Sequence, residues 1–91
     1  MVVVKIFSNY RPILKGSEFI LEVSTVLEAI EELDKISGGV FKKEILEKDG
    51  ETIISHNIVL VNGRKVNFLD GVHTKVTSED RLSIFPPAGG G

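Results

Sequence analysis

Alternating apolar residues at both ends of the chain, one capped amphipathic stretch between them and a strong hairpin signal predict a single α+β domain. The expected architecture is a mixed sheet of about four to five strands covered on one face by one main helix. The 91 residues suit one modest core. Residues 1–85 read as the folded domain and residues 86–91 as an extended C-terminal tail.

The first strand is expected over Val2 to Phe7, which is rich in β-branched residues and sets Val2, Val4 and Ile6 against Val3, Lys5 and Phe7. Tyr10-Arg11-Pro12 interrupts it, because proline fixes its own φ and restricts the residue before it. A loop carrying Lys15-Gly16 then leads to a second alternating run, Glu18 to Val23, and the two strands should form a hairpin. Thr25-Val26-Leu27-Glu28 has the spacing of a capping box. Val26, Ala29, Ile30, Leu33 and Ile36 then recur at helical spacing, with Glu28, Glu31, Glu32 and Lys35 on the other side. Ser37-Gly38-Gly39 ends this helix. Phe41, Ile45 and Leu46 suggest a short second helix before an Asp49-Gly50 turn. Ile58 to Val61 is an apolar strand that stops at Asn62-Gly63, a two-residue hairpin signal, and returns as Arg64 to Val66. Asp70-Gly71 makes another turn, and Arg81 to Phe85 closes the sheet with Leu82 and Ile84 on one face. Periodicity does not give the strand order.

Composition excludes several kinds of chemistry. There is no cysteine, hence no disulfide framework, thiolate metal site or thiol nucleophile. Thirteen acidic and 11 basic residues are well mixed and give a net charge of −2, so no basic stripe invites nucleic acid. No apolar run is long enough to span a membrane and the N-terminus lacks the pattern of a signal peptide, so a cytoplasmic location is expected. His56 and His73 stand without a second ligand at metal spacing and read as loop histidines; no metal is expected. The serines lack a nucleophile elbow, and Glu28, Glu31, Glu32 and Asp34 read as the wet face of the helix.

The remaining feature is the end, Arg81-Leu82-Ser83-Ile84-Phe85-Pro86-Pro87-Ala88-Gly89-Gly90-Gly91. Pro86-Pro87 prevents the strand from continuing and favours an extended path, and three glycines remove every β-carbon from the tip. Six such residues reach about 18 Å. That length suffices to enter a partner's active site, through a channel that would reject any side chain. Glycine-rich ends are also flexible by default, so an idle, frayed tail is the other reading the physics leaves open.

Ile84-Phe85-Pro86-Pro87-Ala88-Gly89-Gly90-Gly91, preceded by Asp80, resembles the end of the small subunit of molybdopterin synthase (MoaD) and its archaeal relatives in the ThiS/MoaD sulfur-carrier superfamily. Phe7 and Arg11 are similar in spacing to that family's first strand and turn. Residues 58–76 look like its central strand, Asn-Gly hairpin and following turn. Pro12-Ile13-Leu14, Ser78-Glu79-Asp80 and Gly89 depart from the family's usual residues.

The resemblance implies a ubiquitin-like β-grasp fold and a reactive Gly91. An E1-like, MoeB-like enzyme would adenylate its carboxylate with ATP, and a sulfur donor would convert it to a thiocarboxylate. The large synthase subunit, MoaE-like, would then receive the sulfur to build the dithiolene of molybdopterin. The carrier would be non-catalytic alone and hold no cofactor tightly. Gly90 would thread the partner's channel; Phe7, Arg11, Phe85, Pro86, Pro87, Ala88 and Gly89 would contact partners. An archaeal ubiquitin-like modifier joined to lysines, or a sulfur carrier for thiamin or tRNA thiolation, would share this chemistry.

Overall fold

Among the described residues, five strands and two helices follow one another as β1 (Val2–Ile6), β2 (Glu18–Leu21), α1 (Val26–Ile36), α2 (Phe41–Ile45), β3 (Ile58–Val61), β4 (Arg64–Lys65) and β5 (Arg81–Phe85). Two 3-10 turns, Val66–Phe68 and Gly71–His73, separate β4 from β5. The computed structural model describes residues 1–7 and 18–85. The expected turn at Tyr10-Arg11-Pro12, the Lys15-Gly16 loop and the tail lie outside the described residues.

The strands form one sheet in the order β2-β1-β5-β3-β4. β1 and β5 run parallel and every other pair is antiparallel. The register puts Val4 beside both Phe19 and Leu82, Ile6 beside Ile84, and Ile84 beside Val59. One face is therefore apolar from strand to strand, and Val2, Val4, Ile6, Val59, Leu82 and Ile84 are buried there. Each such side chain contributes about 1.5–3 kcal/mol relative to exposure.

Helix α1 covers this face with Val26, Ala29, Ile30 and Leu33, all fully buried. Its start is the predicted capping box: the Glu28 N–H donates to Thr25 Oγ1 at 3.1 Å. The glutamate reaches one residue further back than usual, accepting from the Ser24 N–H at 2.7 Å. At its end Gly38 takes φ +77°, and the Gly39 N–H donates to the Asp34 carbonyl and the Gly38 N–H to the Lys35 carbonyl. This double closure satisfies carbonyls that the helix leaves free. Ile36, expected on the apolar side, is instead half exposed. It is the last helical residue, and the glycine turn takes the chain away before anything covers it.

Helix α2 is capped by its neighbour. Ser37 Oγ accepts from the Phe41 N–H at 3.0 Å and Asp34 Oδ1 from the Lys42 N–H at 2.8 Å. Two side chains at the end of α1 thus satisfy free donors of α2, and Phe41 and Ile45 go into the core. Among the described residues the longest helix has 11 residues, and no helix is long and apolar enough to cross a membrane.

Two carboxylates hold turns. Asp49 accepts from the Thr52 hydroxyl and from the Thr52 and Glu51 N–H groups at 2.6–2.9 Å. These bonds, the hydroxyl's first, pull its pKa down from 3.8 to about 2. A carboxyl depressed by folding stabilises the native state above its unfolded pKa, and that stability is lost as pH falls through the folded value. We expect a loss of stability from pH 3.8 towards about 2, shallower in Asp49→Asn. Urea denaturation across that range checks this, and an acid limb unaltered by the substitution would contradict it.

Candidate site at the end of the sheet

β5 is a central strand, so the sheet fixes the direction and position in which the chain leaves at Phe85. Its entry is pinned as firmly. Asn62 and Gly63 take φ +53° and +85°, as a tight hairpin turn of this kind requires. The Asn62 side-chain amide then donates to Asp80 Oδ1 at 2.7 Å and its oxygen accepts from the Arg81 N–H at 2.9 Å. The Asn62 N–H donates to the Arg81 carbonyl at 2.8 Å. Asp80 Oδ2 accepts from the Thr77 N–H at 2.7 Å. The amide of Asn62, then the Thr77 N–H, hold the Asp80 carboxyl below the usual range. The β3–β4 turn is thereby fastened to the start of β5, 18 residues away in sequence.

At the other end of β5, Phe7 and Phe85 stack with ring centroids 4.3 Å apart and planes 2° from parallel. The Phe7 N–H donates to the Ile84 carbonyl at 3.1 Å, extending the parallel ladder one residue past β1 and bringing the rings together. Both lie on the sheet face away from α1, as the alternation predicts, and both are partly buried. Such a pair adds about 0.5–1.5 kcal/mol beyond the area it buries. Ile58 pairs with Phe85 on the opposite side and is 40% exposed. Its membership of this row depends on register, which periodicity does not reveal. Of the expected site residues, Phe7 and Phe85 are brought together; Arg11, Pro86, Pro87, Ala88, Gly89, Gly90 and Gly91 lie outside the described residues.

Several of the other candidate groups have structural partners among the described residues. His73 is an exposed residue of the turn before β5, as read from the sequence, and its Nε2 lies 2.7 Å from Glu51 Oε1, a neighbour that the sequence does not reveal. No three His, Asp or Glu side chains come together for a metal among the described residues. Along α1 a hollow of about 540 Å³ is lined by Glu22, Glu28, Glu31, Glu32 and Asp34. There Glu31 pairs with Lys42 at 3.5 Å, Glu32 with Lys35 at 3.6 Å, and Asp34 caps α2.

Residues 4–91 match the ThiS family. The "Putative sulfur carrier protein" of Archaeoglobus fulgidus is 40% identical over 70 residues, 77% of this chain and 77% of that protein. Small archaeal modifier protein 3 of Haloferax volcanii is also 40% identical over 70 residues, 76% of this chain and 68% of that protein. Among solved structures, a chain of the BexX/CysO complex from Amycolatopsis orientalis superposes with a TM-score of 0.86 at 26% identity, covering all of both chains. Small archaeal modifier protein 1 from Methanosarcina acetivorans gives 0.82 at 28% identity, covering 99% and 95%. The "Putative molybdopterin converting factor, subunit 1" from Pyrococcus furiosus gives 0.70 at 26% identity, covering 96% and 97%. The fold is the ubiquitin-like β-grasp implied by the sequence resemblance.

Proposed function

The chain belongs to the ThiS family, and from that premise we propose that it carries sulfur as a thiocarboxylate on Gly91. The observation that supports this most is the exit of β5. The central strand ends against the Phe7–Phe85 stack, and the sequence then gives only two prolines, an alanine and three glycines. A carboxylate on such an end is a poor acyl donor until it is activated. Its oxygen attacks the α-phosphorus of ATP on an adenylating partner, and pyrophosphate leaves. A hydrosulfide-level donor then attacks the acyl carbon, AMP leaves, and a nucleophilic thiocarboxylate remains. The partner supplies the catalytic groups. This chain supplies a thin end and a folded body that can be recognised, with Phe7 and Phe85 at the root of the tail.

The recipient we propose is the large subunit of a molybdopterin synthase, where the sulfur would build the dithiolene of a molybdenum or tungsten cofactor. The Phe85-Pro86-Pro87 approach to the glycines supports this choice, as does the structural likeness to the Pyrococcus furiosus protein. The equal identity to a small archaeal modifier supports a second reading, in which a lysine amine takes the place of sulfur at the same adenylate. Cell extract supplied with ATP, the activating enzyme and a sulfide source separates the two. The carrier reading expects thiocarboxylate at Gly91 and its consumption by the large subunit. Branched peptides joining Gly91 to lysines, without thiocarboxylate, would replace it with the modifier reading.

A further inference from the structure

We infer that the free edge of β4, with Phe68 as its anchor, is a second docking surface, and that it seats in an apolar pocket rimmed by carboxylates on the adenylating partner. This rests on the carrier reading above. The need for such a surface follows from the tail's composition. Residues 86–91 carry no charged side chain and nothing larger than a proline ring, so they offer little by which an enzyme could tell this chain from another ending in glycine. Selectivity has to come from the folded body, at a place that can be held while the tail is engaged.

The β4 edge meets that requirement. It lies two strands from β5, about 10 Å at ordinary strand spacing. β4 is antiparallel to β3 and β3 to β5, so β4 leads towards the end of the sheet at which β5 finishes. There Val66 is fully buried, and the Leu69 N–H donates to the Val66 carbonyl at 2.9 Å. In the turn so held, Phe68 is 81% exposed, more than any other large apolar side chain among the described residues. It lines an open hollow of about 450 Å³ with Gly63, Arg64, Lys65 and Leu69. Neither Arg64 nor Lys65 makes an ion pair with a described residue. An aromatic anchor beside two cations that pair with no described residue, on a chain of net charge −2, is complementary to an apolar pocket with an acidic rim. The two cations also discourage a foreign strand from adding to this edge, so the contact is made by side chains.

Steady-state adenylation, followed as pyrophosphate release with the activating enzyme and ATP, tests this on the full chain. Phe68→Ala is expected to lower kcat/KM about tenfold through KM with kcat retained, the signature of lost uniform binding. Arg64→Glu with Lys65→Glu is expected to lower it as well and to weaken its dependence on salt. Melting temperatures of all variants should match the unaltered chain, because the substituted side chains are exposed. Variants within twofold of the unaltered chain, while that chain is adenylated, would overturn the inference. So would light scattering that finds a dimer which Phe68→Ala dissociates, since the occupant would then be a second copy. No adenylation of the unaltered chain would instead sink the carrier reading, and this inference with it.

Discussion

Deletion of Gly91, or one residue added after it, is expected to bring adenylation down at least about 100-fold while the melting temperature stays where it was. The size follows from geometry. One residue moves the carboxylate by about 3.3–3.6 Å, whereas a misplacement of about 1 Å already costs on the order of 100-fold when reacting atoms must meet at near-attack distance. The unchanged stability follows from where the described core lies, between Val2 on β1 and Ile84 on β5. A terminal glycine adds little packing to it. A large fall in melting temperature would show that the tail belongs to the fold, and adenylation that survives the deletion would move the reactive group elsewhere.

Phe41→Ala is expected to have the opposite profile: a loss of about 3–5 kcal/mol of stability, with activity failing only as the domain unfolds. Among the described residues Phe41 is the largest fully buried side chain of the core, at the start of α2. It sits where the Ser37 and Asp34 side chains tie that helix to the end of α1, so the cavity cannot close by moving one helix freely. Small domains are stable by only about 5–15 kcal/mol, so this single truncation removes a large share. Ile36→Ala, on the half-exposed last residue of α1, should shift stability by less than about 0.5 kcal/mol. Urea denaturation of both variants measures the contrast. Equal effects at the two positions would mean that the core is misplaced.

Much of this architecture is legible in sequence because its causes are local. Alternation in Val2 to Ile6 and in Arg81 to Phe85 fixes which side chains enter the core. Thr25 and Glu28 mark the helix start and Gly38-Gly39 its end, since cap and turn geometry depend on neighbours in the chain. What sequence leaves open is made by distant residues. Nothing near Asn62 announces that its side chain clasps Asp80 and Arg81, nor that Glu51 meets His73. Strand order has the same origin, and with it the alignment of Ile58 beside Phe85 and Phe7. The exposure of Phe68 is hidden for another reason. A 3-10 turn directs Val66 inwards and Phe68 outwards, and neither a helical nor a strand period describes it. The roles proposed for Arg11 and the tail come from the sequence alone.

In the proposed function the body is a handle and Gly91 the reacting residue. The intact mass of the unaltered chain, after incubation with its activating enzyme, ATP and a sulfide source, tests it most directly. One oxygen replaced by one sulfur is expected, assigned by fragmentation to Gly91 and absent from the chain extended by one residue. An unchanged mass, with the enzyme shown active on another carrier, or sulfur found on any other residue, would contradict it.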